Sequence, residues 1–87
     1  MLYLMARHEL ADFDRWNRLF RSHAGAQRKA GLHLVYLLRE VGDPNKVIAL
    51  FTVDDLEKAQ AFTGAPGARQ AAEQAGVISV GMSYWSD

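Results

Sequence analysis

Residues 7–31 read Arg-His-Glu-Leu-Ala-Asp-Phe-Asp-Arg-Trp-Asn-Arg-Leu-Phe-Arg-Ser-His-Ala-Gly-Ala-Gln-Arg-Lys-Ala-Gly. They join the end of a strand to the longest helical pattern in the chain. Asp12 stands where an N-cap belongs, and Asp14 places negative charge in the first turn. Phe13, Trp16, Phe20, His23 and Gln27 recur at three-four-three-four spacing, with Leu19 beside them, and form one stripe. Arg15, Arg18, Ser22 and Lys29 occupy the opposite side. Gly25 marks a late bend and Gly31 a C-terminal stop.

Upstream, residues 2–9 alternate Leu2, Leu4, Ala6 with Tyr3, Met5, apolar on both sets, which predicts a strand covered on both faces. Downstream, residues 32–38 repeat that pattern. Gly42-Asp43-Pro44-Asn45 is a turn in which Pro fixes φ and Asn tolerates the left-handed region. Residues 47–53 return as a strand, so 32–53 form an antiparallel hairpin. Asp54 caps the next helix with Glu57 as capping-box partner. That helix pauses at Gly64-Ala65-Pro66-Gly67 and resumes to Gly76, Pro66 suiting a first helical turn. Residues 77–85 supply the fourth strand.

The order is βαβ–βαβ, and the halves are weakly self-similar. At an offset of 43, Leu4-Met5-Ala6 aligns with Val47-Ile48-Ala49, and Asp12-Phe13-Asp14-Arg15 with Asp55-Leu56-Glu57-Lys58. A split βαβ repeat gives a single α+β domain over residues 1–87, ferredoxin-like, with a four-stranded antiparallel sheet and helices on one face. The uncovered face of a sheet apolar on both sides exposes more apolar surface than a monomer tolerates, which implies a homodimer closed sheet to sheet.

Composition narrows the function. Ten Lys and Arg balance ten Asp and Glu, so no net field steers the chain toward nucleic acid or anionic lipid. The N-terminal apolar run is too short for a signal peptide or a membrane span, and cysteine is absent, which fits a cytoplasmic protein. No phosphate loop, His-Glu-x-x-His or Gly-x-Ser-x-Gly turn occurs, and three dispersed histidines have no metal-ligand spacing. No metal and no cofactor is expected.

The offset also shows where the halves differ. Arg7-His8-Glu9 aligns with Leu50-Phe51-Thr52, and Trp16 with Ala59. Arg7 and Glu9 suit an exposed strand end. His8 and His23 are the candidate catalytic groups, since an imidazole with pKa near ~6.5 serves as base or acid near neutrality. Two placements are open to His23: the boundary of the helix, or a cavity between helix and sheet beside Trp16 and Phe20. Whether it shares a pocket with His8 depends on how the helix returns over the sheet. Phe13, Trp16 and Phe20 suit a core and equally the wall of a ligand cavity. Tyr3, Tyr36, Tyr84 and Trp85 add polar handles to apolar strands, and Tyr36 is carried as a candidate ligand contact. His33, beside a glycine, reads as a surface or edge residue.

The run Arg-His-x-Leu-x-Asp-Phe-Asp-x-Trp-x-x-x-Phe-x-x-His, with Asp-Pro-Asn before Val-Ile-Ala-Leu-Phe and then Asp-Asp-Leu-Glu-Lys-Ala, resembles the short proteins of the dimeric α+β barrel superfamily. These are labelled cyclase-like or related to antibiotic biosynthesis monooxygenases. The resemblance implies a cavity for an apolar or aromatic small molecule inside each subunit, lined by Trp16, Phe20, His23 and His8, with the dimer formed through the other sheet face. Residues 54–76 hold neither Trp nor His, where many of the monooxygenases have both. The expected activity is therefore cofactor-free cyclisation by histidine acid-base chemistry. Cofactor-independent oxygenation, or ligand binding without catalysis, is the alternative.

Overall fold

A computed structural model describes residues 1–87. The elements run β1 (Leu2–Leu10), α1 (Phe13–Ser22), α2 (Ala24–Lys29), β2 (Leu32–Arg39), β3 (Lys46–Val53), α3 (Leu56–Thr63), α4 (Pro66–Gln74) and β4 (Val77–Ser86). The strands form one antiparallel sheet in the order β2-β3-β1-β4, which is the ferredoxin-like arrangement. None of the helices is long and apolar enough to cross a membrane.

Alternation decides which side chains meet the helices. In β1 the even positions Leu4, Ala6 and Leu10 are buried, as are Val47, Ala49, Phe51 and Val53 of the paired β3. They pack against Trp16, Ala59 and Ala75 from the helices and so define the covered face. The odd positions of β1, with Ile48 and Leu50, point to the open face. That face leaves Leu38, Trp85 and Tyr36 each more than half exposed. The accessible surface is 5675 Å², against about 5,100 Å² expected of a compact monomer of this mass.

Three local details differ from the sequence reading. The long helix is two: at His23 (φ −93°, ψ 6°) α1 ends, and α2 starts one residue later. The cap of α3 is Asp55, whose carboxylate accepts the Lys58 N–H at 3.2 Å. Asp54 instead accepts from the ring of His33, Nε2 to Oδ2 2.7 Å, because it still lies at the end of the sheet. Finally, the β2–β3 register shifts between Leu34 and Tyr36, so Tyr36 sits opposite Leu50 on the open face and Leu37 takes the inward position opposite Ala49.

Each helical layer returns to the sheet through a glycine with positive φ, Gly31 (79°) after α2 and Gly76 (77°) after α4. A Cβ on Gly31 would stand 3.2 Å from that of Asp54, so the close approach of chain there depends on its absence. The duplication seen in sequence thus extends to the way each half turns back.

Candidate functional site

Between the helices and the covered face lies a cavity of about 420 Å³, within the range of small-molecule sites. Its floor is the sheet, at Leu4, Ala6, His8 and Phe51, and its outer wall is α4, which contributes only Ala, Gly and one Arg. Phe20 and His23 close the α1 side, and Phe62 and Thr63 the α3 side. The wall is mostly apolar, and no Asp or Glu takes part in it. A second depression of about 710 Å³ lies open at one end of the sheet, across all four strands, among Arg7, His8, Glu9, Val41 and Lys46. It is broader and more polar, and its charged groups stand at the surface.

His8 is the enclosed group. Its neighbours across the sheet are Val47 on β3 and Val80 on β4, both apolar. As an even position of β1 its ring points toward the helices, where it lies 5.5 Å from the Trp16 ring at 47°. Nδ1 is shut away from solvent with no hydrogen-bond partner, while Nε2 is not enclosed in this way. An imidazolium here would hold its charge among apolar neighbours, with no acceptor at Nδ1 to offset the lost hydration. Burial therefore lowers the His8 pKa from 6.5 to about 4, and the ring is neutral throughout the physiological range.

The aromatic stripe of α1 backs the site more than it lines it. Trp16 is 3% exposed and stacks on Phe20, centroids 4.6 Å apart at 21°. Phe20 in turn faces both the cavity and the Phe51 ring at 6.2 Å. Trp16 thus clamps His8 on one side and Phe20 on the other without reaching the cavity itself. Phe13 lies further out: the Arg39 guanidinium covers its ring at 3.7 Å, and its N–H donates to Asn45 Oδ1 at 3.1 Å. It ties α1 to the β2–β3 turn.

Of the residues singled out from sequence, His8, His23 and Phe20 come together around the cavity. His23 is exposed at the junction of α1 and α2, so it belongs to the rim. Trp16 stands behind the wall, Phe13 outside it, and Tyr36 on the opposite face of the sheet. For Tyr36 the bulge is the cause, since two-residue alternation from Leu32 and Leu34 would have turned it inward. The α4 wall went unrecognised. Ala65, Ala68, Ala71 and Ala72 at helical spacing mark a small-residue face, and Arg69 stands among them. Thr63 was also missed; its hydroxyl lies 3.3 Å from that of Tyr84 and 3.0 Å from the Ala59 carbonyl, which closes the cavity at that end.

No protein-family model and no curated protein matches this sequence. Solved structures do. SnoaB from Streptomyces nogalater, described as a cofactor-independent oxygenase and seen in a mutant form, superposes with a TM-score of 0.75 at 17% identity, covering 99% of this chain and 91% of that one. A structure described as an antibiotic biosynthesis monooxygenase gives a TM-score of 0.69 at 15% identity, covering 100% and 98%. A NIPSNAP domain protein from Burkholderia xenovorans gives 0.68 at 10% identity, covering 100% and 94%. At such identities the likeness is one of fold, and different sites are built on it. Over its whole length the chain has the ferredoxin-like α+β fold of the antibiotic biosynthesis monooxygenases.

Proposed function

We propose that the protein is a cofactor-independent oxygenase of a flat, mostly apolar aromatic molecule held in the cavity, with His8 as its base. The observation that carries this reading is the neutral, partnerless imidazole of His8 in an apolar enclosure. The fold shared with a cofactor-independent oxygenase supports oxygenation over cyclisation, the activity expected from sequence.

On an anthrone-type substrate, His8, in the tautomer that carries its proton on the enclosed Nδ1, takes a proton at Nε2 from the methylene flanked by the rings and activated by the carbonyl. The resulting carbanion, spread over the rings, passes an electron to dioxygen and the two recombine to a peroxide anion. The imidazolium returns its proton, and loss of water leaves a ketone. One dioxygen is consumed, one oxygen atom stays in the product and the other leaves as water. The apolar wall that opposes the imidazolium also keeps the reduced intermediate from water. His23, at the rim and exposed, is assigned the lesser part of relaying the proton outward.

The working unit proposed is a homodimer closed through the open sheet face. Tyr36, Leu38 and Trp85 on that face leave apolar surface that a partner would cover.

The test is oxygen uptake with anthrone. The wild-type protein is expected to consume dioxygen as the quinone forms, and His8→Ala to lower the rate at least about 100-fold. His23→Ala is expected to cost less. Exchange of the methylene protons with solvent and no oxygen uptake would leave His8 as a base and overturn the oxygenase reading. Unchanged turnover in His8→Ala would remove the histidine from the chemistry.

A further inference from the structure

Arg69 is the one charged residue in the cavity wall. Its place is unusual in three ways. The rest of the α4 wall is Ala and Gly, and Arg69 is exposed among them. The chain's ion pairs are Met1–Asp87, His33–Asp54 and Lys46–Glu9, so no carboxylate lies within 4.0 Å of the Arg69 guanidinium. Glu73, one turn further along α4, is outside the cavity and does not pair with it. Arg69, exposed to solvent and without an ion pair, therefore borders an acid-free, mostly apolar chamber.

We infer that Arg69 is a specificity-determining anchor, and that the molecule taken into the cavity is an aromatic acid whose carboxylate it holds. The inference rests on the cavity being the ligand site. A guanidinium binds a carboxylate through two parallel N–H donors, fixing orientation as well as charge. With Arg69 on α4 at the rim, the ring system extends inward toward Phe20 and the sheet, where His8 meets it. The anion stays at the wet edge and the rings occupy the dry interior, so neither is desolvated without compensation.

A rival anchor exists. A cleft of about 360 Å³ shares Phe20, Gln27 and Leu32 with the cavity and carries Arg21 and Arg28. There both arginines are exposed, Arg21 already donating to Asn17 Oδ1 at 3.3 Å, and His33 is engaged by Asp54. Of these three arginines, only Arg69 borders the cavity that His8 shares.

The experiment compares 2-naphthoate with 2-naphthamide, alike in shape and differing in charge, by amide and His8 imidazole NMR shifts. The wild-type protein is expected to bind the naphthoate roughly tenfold more tightly. Arg69→Gln should bring the two affinities together, Arg69→Lys should keep part of the difference, and the double variant Arg21→Ala/Arg28→Ala should keep all of it. Equal affinities in the wild type, or a preference that survives Arg69→Gln, would overturn the anchor while leaving the cavity reading intact. Loss of the preference in the double variant alone would move the anchor to the rival cleft and overturn it too. If neither probe shifts His8, the cavity reading fails along with the anchor.

Discussion

The imidazole of His8 lies 5.5 Å from the indole of Trp16, tilted 47° to it, and that contact ties the only enclosed titratable ring to the best-buried aromatic side chain. The same indole stacks on Phe20, whose other side faces the cavity. Stability and site chemistry therefore meet at one helix position.

The depressed pKa of His8 makes the fold acid-sensitive in a defined window. Between pH 6.5 and about 4 the unfolded chain takes up a proton that the folded one refuses, so stability falls as pH drops through this range. At pH 4.5 the loss from this group is on the order of 2–3 kcal/mol, and it levels off once the folded ring is protonated as well. Urea unfolding at neutral pH and at the acid end of this window should show the drop in the wild type and a smaller one in His8→Leu. A drop of the same size in both would assign the effect to other groups.

Trp16 is expected to act through packing. Trp16→Ala should cost about 3–5 kcal/mol, comparable with the whole stability of roughly 4–13 kcal/mol expected for a domain of this length. Trp16→Phe should fold, with a lower melting temperature. Phe20→Ala, at a half-buried position on the cavity wall, should lose less stability and more affinity for the naphthalene probes. Circular dichroism and the binding titration together separate the two effects.

Two glycines in the same return should respond in opposite directions. Gly31 has φ 79° with Asp54 packed against it, so Gly31→Ala is expected to destabilise by more than about 1 kcal/mol. Gly25 lies inside α2 with nothing near the place a Cβ would take, so Gly25→Ala should stabilise by about 0.5–1 kcal/mol. Thermal unfolding of both variants checks the pair. A stabilised Gly31→Ala would contradict the strain argument.

The proposed dimer predicts a surface effect separate from the site. Leu38→Asp with Trp85→Asp should yield a monomer by light scattering, where the wild type runs as a dimer. Tyr36→Ala should leave probe binding unchanged, because that ring faces away from the cavity. A wild type that is monomeric at high concentration would remove the dimer.

Strands and layers were legible because alternation and capping are local. Leu4 and Ala6 fall on the same face as Val47 and Ala49 as soon as the pattern is written out. Positions set by a single inserted residue were not. The bulge beside Val35 reverses Tyr36, and the kink at His23 moves that ring from a helix stripe to a rim. The cap of α3 slipped from Asp54 to Asp55 because adjacent aspartates offer the same chemistry, and only the end of β3 chooses between them. His8 was identifiable through the mismatch between the halves, whereas its lack of a partner is a property of the packed fold. Arg69 stayed hidden because its signal lies in its neighbours: alanines lend a helix propensity and nothing that marks a wall.

The outer helix α4 has no buried residue, held as it is between Pro66 at its start and Gly76 beyond its end. Most of the buried residues that keep the molecule folded lie on β1 and β3 and at Trp16, Leu32 and Ala59, while α4 supplies only the outer wall of the chamber. Exchanging Ala68, Ala71 or Ala72 for larger side chains thus remodels the chamber with little loss of stability. Evolution, or a protein engineer, can change what this scaffold accepts by rewriting one helix and leaving its foundations alone.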